Sequence, residues 1–454
     1  MNMDIFEAKK KFFQEGNTLP YDFRILQLKK LREAVSKYEE DILNALSLDL
    51  NKTEFEAYTS ELGLVYTELN LAIKNLKRWM KKKRVRTPIF LKPGKSYILP
   101  SPKGVVLIIS PWNYPFSLAI LPLIGAMAAG NAIILKPSTK SKNTAQIISK
   151  IIKESFSENY ISCLDGGSKE VDILLENYRF DHIFFTGSVK VGKEIMAKAS
   201  KTLTPVTLEL GGKSPAIIWK DANIDHAAKT ITWAKYYNGG QTCITPDYLL
   251  IHEAVKEEFI RKMKGYMEVF YGANRDENIS KIIDENRFHR LLDLMNSGEV
   301  IIGGEADKER LFIYPTVIDK VSMEAEIMKE EIFGPILPIL TIETIEDIKE
   351  IIGENPYPLS LYIFTEDKLI EDHIVENIGF GGGCVNDAIS HFANNNLPFG
   401  GYGFSGMGRY HGKYSFHEFT HYKSIFKGSS RFSLNLKFPP YNKEKLRLVK
   451  RVLK

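Results

Sequence analysis

Residues 104–136 read GVVLIISPWNYPFSLAILPLIGAMAAGNAIILK, and the interpretation of this stretch decides the fold. No charged residue occurs from Val105 to Leu135, so hydropathy alone would admit a membrane span. The internal punctuation argues otherwise. A β-branched run ends at Ser110-Pro111, and Pro122, Gly125, Gly130 and Asn131 interrupt the apolar stretch. AIIL then closes it as a second β-like run, so a buried strand–helix–strand unit is expected.

The same alternation continues outward. After AIILKPS come a helix over 143–155, the short strand YISCLD, the strand HIFFTGS, a helix over 190–200 and the strand PVTLEL. A second series follows: SPAIIWK, a helix over 224–237, a Gly-rich turn to Cys243, DYLLIHE, and a helix from Ala254. Near-continuous apolar strands alternating with helices imply parallel sheets covered on both faces. Ligands of such sheets bind outside the carboxyl ends of the strands. Before this core, residues 4–80 carry apolar residues at helical spacing, and TPIFLKPGKSYILPSPKG fits an extended arm.

The chain has 454 residues, long enough for two to four domains of roughly 150 residues each. Its net charge of +5 is unevenly distributed. Residues 77–86 carry seven bases and no acid, residues 427–454 carry nine bases and one acid, and the rest of the chain sums to −10. The basic run 77–86 has no nucleic-acid reader motif and fits a solvated helix end, so nucleic acid is not expected as a partner. In the tail, Leu446, Val449 and Leu453 fall at helical spacing among Lys and Arg. It is too short and charged to span a bilayer. A helix packed on a partner subunit is favoured over peripheral membrane contact. Three cysteines without metal-ligand spacing argue for a reducing, cytoplasmic setting, and the nine histidines form no ligand set, so no metal is expected.

The strand ends hold the candidate chemistry. Asn113 in SPWNYP can donate an amide to a developing oxyanion. LKPSTKS places Lys136, Ser138, Thr139 and Lys140 where an adenosine ribose is commonly read. FTGSVKVG puts Gly187, Ser188 and Gly192 between a strand and a helix, a phosphate-binding context without the G-x-G-x-x-G spacing. Glu209 ends PVTLEL before two glycines, where a general base could sit. Cys243 follows two glycines in NGGQTCITP, where a thiolate could attack an electrophilic carbon. Each of these also has a plain structural reading.

Together the motifs are more specific. PWNYP, LKPS, FTGSxxxG, ELGGKSP, GQTC, EEIFGP and LPFGGxGxSGMG occur in this order, and the chain resembles the aldehyde dehydrogenase superfamily over essentially Phe6 to Phe426. GQTCITPDYLL, GMGRYHGKYSF and the short N-terminus are similar to its class 3 branch, which implies a homodimer and medium- to long-chain or aromatic aldehydes. The fold implied is α/β: a Rossmann-type cofactor domain (1–80 and 104–209), an α/β catalytic domain (210–385), an oligomerisation or bridging element (81–103 and 386–426) and the basic tail (427–454). By the resemblance Cys243 is the nucleophile and Glu209 the general base, with Asn113 and the Cys243 N–H as the oxyanion hole. Lys136 would hold the adenosine ribose with Ser138 and Thr139. Gly187, Ser188 and Gly192 would face the pyrophosphate. Glu331 and Phe333 would position the nicotinamide riboside, and Trp112 and Leu210 would also contact the cofactor. The implied reaction is NAD- or NADP-dependent oxidation of an aldehyde to a carboxylate.

Thr139 is a departure, because the family often has Glu there. Without that acid, Lys136 or Lys140 can pair with a 2′-phosphate, so use of NADP as well as NAD is expected. The competing readings are a CoA-acylating enzyme, which often lacks the base found here as Glu209, and a non-catalytic protein retaining the fold.

Overall fold

Consecutive residues of the strand Val105–Ile109 feed two different cores: Val106 and Ile108 face one, Val105, Leu107 and Ile109 the other. A strand buried on both faces needs apolar side chains at every position, which is why this segment lacks the usual polar alternation. The computed structural model describes residues 2–272, 275–432 and 435–453.

The first sheet contains six strands in the order 406–407, 206–210, 182–187, 105–109, 132–136 and 161–163. All pairings are parallel except that of Gly406–Met407, which lies antiparallel on Val206–Leu210. Strand order reverses direction between 105–109 and 182–187, so the crevice at the carboxyl ends opens there. The second sheet has seven strands, 299–302, 316–319, 336–342, 248–252, 215–218, 360–364 and 382–385. It too separates two cores, with Leu361 and Ile363 on one face and Tyr362 and Phe364 on the other.

Helix Ser117–Ala129 explains the membrane-like hydropathy, since all 13 of its residues are buried. It is a core helix packed between the N-terminal helices and the first sheet. Gly125 lets Ser415 of the short helix Lys413–Glu418 come close: a Cβ at 125 would lie 2.6 Å from the Ser415 Cβ. Gly130, at φ +88°, ends the helix in the left-handed conformation that favours glycine. Among the described residues, no helix is long and apolar enough to cross a membrane.

Strands Lys83–Val85, Lys95–Pro102 and Thr420–Lys427 form a separate antiparallel sheet that includes the expected extended arm. Segment 386–426 divides between regions. Gly406–Met407 joins the first sheet, helix 413–418 packs on helix 117–129, and only its end reaches the arm. The structure adds a helix at Ser168–Asn177 and a strand at Gly382–Val385, where the sequence reads as a glycine-rich run. In the tail, helix Lys443–Leu453 exposes Leu446, Leu448 and Leu453, while residues 433, 434 and 454 lie outside the described residues.

The Gly125 contact yields a stability prediction. Gly125→Val overpacks the interface with Ser415, and urea denaturation should show a loss of about 1–3 kcal/mol; an unchanged midpoint would show that the two helices separate freely.

Candidate active site

The approach to Cys243 is built from backbone that few residues tolerate. Asn238, Gly239 and Gly240 adopt φ of 54°, 60° and 69°, three left-handed residues in succession after helix Ile224–Tyr236. A Cβ at Gly240 would fall 2.3 Å from the Gly334 carbonyl oxygen, and one at Gly239 2.8 Å from that of Ser280. Glycine is therefore required for contact as well as for conformation. Gln241 locks the turn: its side-chain amide donates to the carbonyls of Asn238 (3.1 Å) and Lys281 (3.0 Å), and its Oε1 accepts the Ile283 N–H.

Asn113 meets this turn from the first sheet. Its Nδ2 donates to the Gln241 carbonyl at 2.9 Å, and its own carbonyl accepts from Asn238 Nδ2 at 2.9 Å. An amide nitrogen carries two N–H donors, so a second remains for a ligand oxygen. The Asn113 carbonyl also accepts from Lys52 Nζ at 3.2 Å. Lys52 is fully buried, 2.6 Å from Glu61 Oε1 and 4.0 Å above the Tyr114 ring. The other Glu61 oxygen accepts the N–H groups of Phe116 and Ser117, at 2.8 and 3.0 Å. A carboxylate is favoured at the start of helix 117–129. Thus one ion pair from the N-terminal helices holds both ends of the segment carrying Asn113. Residues 4–80 read as helical amphipathic sequence, and nothing in their spacing marks Lys52 or Glu61.

The Glu331 loop is pinned in a similar way. Lys213, from ELGGKSP, donates to Asp247 (2.6 Å) and to the carbonyls of Ile327 and Glu330. Asp247 accepts the Ile332 N–H, and Arg290 donates to the carbonyls of Glu331 and Ile332 at 2.8 and 2.9 Å. Phe333, at φ +55°, meets Trp112 edge-on with centroids 5.4 Å apart. The Arg287 guanidinium lies 4.8 Å from the Trp112 ring centroid.

These elements surround a cavity of about 1140 Å³. Of the residues expected from sequence, it is lined by Cys243, Glu209, Asn113, Trp112, Gly187, Ser188, Leu210, Glu331 and Phe333, and by Lys140. Lys136, Ser138, Thr139 and Gly192 do not line it. Lys136 is buried and its Nζ donates to the Pro137 carbonyl at 2.7 Å, while Ser138 is part-exposed and Thr139 exposed. Gly192 sits inside helix Val189–Ser200, where a Cβ would meet the Leu210 side chain at 2.7 Å, so its place is in helix–strand packing. Ser188 caps that helix, its Oγ accepting the Val191 N–H.

The cavity is electrostatically unusual. Glu209 is buried and both its carboxylate oxygens lack a partner. Burial, then the charge of Glu418, hold its pKa well above the carboxylate range. Burial, then Asp247, push Glu331 up to about 8, against the pull of Lys213. Burial also raises the Cys243 thiol, with Glu331 and Glu209 adding to the shift, while the N–H groups of Cys243 and Ile244 favour the thiolate. Two neutralised acids therefore face a protonated thiol, with backbone donors aimed at its sulfur.

A dinucleotide fits these residues. The crevice lies at a strand-order switch, Gly187–Ser188 opens a helix toward it, and Arg287 Nε and Thr186 Oγ1 are buried without partners. Among the described residues, no group of three or more His, Cys, Asp or Glu is placed to hold a metal ion.

Comparison with known proteins agrees with this geometry. The aldehyde dehydrogenase family model matches residues 3–425. The chain is 46% identical to the 4,4'-diaponeurosporen-aldehyde dehydrogenase of Staphylococcus aureus, covering 100% of both chains. It is 43% identical to aldehyde dehydrogenase family 3 member A2 of Macaca fascicularis, over 96% of this chain and 91% of that one. Among solved structures, the substrate-bound state of Staphylococcus aureus AldH superimposes with a TM-score of 0.98, at 46% identity and 100% coverage of both chains.

The ion pair beneath Asn113 yields a prediction. Lys52→Met leaves the Glu61 carboxylate buried without its counter-charge, so denaturation should report a loss of about 3–5 kcal/mol. A loss below about 1 kcal/mol would mean that the buried pair contributes little to the fold.

Proposed function

The chain belongs to the aldehyde dehydrogenase family, and from that premise we propose how its own residues carry out aldehyde oxidation and which aldehydes it takes. The enzyme oxidises aldehydes with NAD or NADP. The observation that carries the residue assignment is the convergence of Cys243, Glu209 and the Asn113 amide on one cavity.

In this reading the Cys243 thiol first gives up its proton to solvent water, and the resulting thiolate, favoured by the N–H groups of Cys243 and Ile244, adds to the aldehyde carbon. The new alkoxide receives hydrogen bonds from the Asn113 amide and the Cys243 N–H, donors that need no reorganisation because Gln241 and Asn238 already hold the backbone. The dinucleotide, when bound, supplies the hydride acceptor, and the carbon left on Cys243 is then a thioester. Glu209 takes a proton from water, which attacks the thioester and releases the carboxylate and the thiol. Glu209 starts neutral, so it works as a base only after losing its proton to solvent or to a neighbour. Glu331 and Phe333, on the loop whose Glu331 and Ile332 carbonyls accept from Arg290, orient the nicotinamide end. Lys136 and its neighbours form the adenosine end.

The substrate side of the cavity is apolar: Phe55, Leu64, Leu118, Trp233, Ile389 and Phe392 line it. This supports medium- to long-chain aliphatic or aromatic aldehydes. The name of the Staphylococcus aureus relative makes 4,4'-diaponeurosporen-aldehyde a candidate as well. NADP is accepted as well as NAD, because Thr139 removes the acid that would repel a 2′-phosphate. The arm sheet, with Val85 and Phe426 exposed beside Ile89 and Phe90 of the turn between its strands, supports a homodimer built through it; three cysteines without ligand spacing support a cytoplasmic setting. Contact of the tail helix with a partner subunit is favoured over a membrane surface. Glu209 favours hydrolysis over transfer of the acyl group to CoA, and CoA-dependent product formation would reverse that choice.

A panel of aldehydes from hexanal to hexadecanal, with benzaldehyde and 4,4'-diaponeurosporen-aldehyde, tests the substrate reading by NAD(P)H absorbance. kcat/KM should rise with chain length, and Cys243→Ala should abolish the signal. Equal inertness of wild type and variant across the panel would contradict it. A preference for NAD over NADP above about a hundredfold, roughly 2.7 kcal/mol, would contradict the cofactor reading.

The acids set a pH dependence. Because the base acts in its ionised form and burial holds its pKa well above the carboxylate range, kcat should climb with pH beyond the range where ordinary carboxylates titrate. Glu209→Gln should lower kcat by about 10²–10⁴-fold and flatten that limb; a profile unchanged by this substitution would remove Glu209 from the role.

A further inference from the structure

At the end of the cavity nearest the strand Ala132–Lys136, the lining lysine Lys140 is already engaged. Lys140 lies four residues past Lys136, and its Nζ is 2.5 Å from Asp284 Oδ2. The two residues come from different lobes. Lys140 lies between the strand Ala132–Lys136 of the first sheet and helix Lys142–Ser155, and Asp284 is the N-cap of helix Glu285–Met295. Asp284 divides its oxygens, since Oδ1 accepts the Arg287 N–H at 2.9 Å while Oδ2 holds the lysine. Both side chains line the cavity. Of the neighbouring cations, Arg290 donates to the Glu331 and Ile332 carbonyls and Lys136 to the Pro137 carbonyl, while Arg287 lies over Trp112 with its Nε unpartnered.

We propose that Asp284 is the residue that sets discrimination between NADP and NAD, by neutralising Lys140 and placing a carboxylate where a 2′-phosphate must approach. The inference rests on the reading of residues 136–140 as the adenosine-ribose site. Thr139 removes the acid expected on this strand end, and Asp284 restores a negative charge from the opposite lobe. A ribose 2′-hydroxyl is neutral and leaves the pair intact. A 2′-phosphate must draw Lys140 away from Asp284 and then bind beside the freed carboxylate. The pair is part-exposed, with side-chain accessibilities of 46% and 28%, so it can open, and NADP is disfavoured without being excluded.

Calorimetric titration of the full chain with 5′-AMP and 2′,5′-ADP tests this, because the two ligands differ only in the 2′-phosphate. Asp284→Asn keeps the helix cap, as Asn caps as well as Asp, and removes the charge. It should tighten 2′,5′-ADP by about tenfold, about 1.4 kcal/mol, and shift 5′-AMP by less than about twofold. Lys140→Met should weaken 2′,5′-ADP selectively. The ratio of kcat/KM for NADP over NAD should follow the same direction in both variants. An unmoved 2′,5′-ADP affinity in Asp284→Asn, or an equal response of both nucleotides, overturns the proposal alone. If the wild type binds neither nucleotide, the ribose-site reading falls and the proposal with it.

Discussion

Three consecutive left-handed residues, Asn238 to Gly240, are the constraint on which the site depends. They bring Cys243 to the Glu331–Phe333 loop, because Gly240 can lie against the Gly334 carbonyl where any side chain would collide. The same reversal exposes the Gln241 carbonyl, which both Asn113 and Asn238 use. Nucleophile, amide donor and cofactor-facing loop thus share one piece of backbone. Displacing it would misplace all three, and misplacement of about an ångström is enough to cost a large factor in rate.

Around this turn the protein arranges charge by burial. Glu209 and Glu331 are held neutral, and the Cys243 thiol is held protonated, in a cavity that Lys213, Asp247 and Arg290 shape without entering the chemistry directly. Once it has lost its proton, an acid with a raised pKa is a stronger base than an ordinary carboxylate. The Lys52–Glu61 pair serves a different end. It satisfies the start of helix 117–129 and fixes the Asn113 carbonyl, so a segment with no assigned chemistry supports the oxyanion donor.

Much of this was legible from sequence, for physical reasons. Strands buried on both faces announce themselves as unbroken apolar runs, and the glycines at 239 and 240 mark a backbone constraint beside a cysteine. Glu209 was legible as the acid at a strand mouth. The second layer was not. Lys52 and Glu61 are ordinary letters on amphipathic helices until the fold buries them. Arg290 and Asp284 are surface-like residues of a charged helix until the second lobe turns that helix toward the cofactor crevice. Gly192 shows the opposite limit: its position in FTGSVKVG fits phosphate binding, yet its missing side chain serves packing against Leu210. The glycine-rich run at 379–384 carries no strand signal of its own, because the strand Gly382–Val385 draws its pairing from Ser360–Phe364.

The central claim is that Cys243 carries the acyl group and Glu209 releases it. Intact-protein and peptide mass spectrometry of Glu209→Gln, quenched after mixing with an aldehyde and NAD(P), addresses both halves at once. The account predicts a mass increase equal to the acyl group, confined to the peptide containing Cys243 and slow to decay. An acyl group on another residue, or continued turnover with Cys243 unmodified, would contradict it.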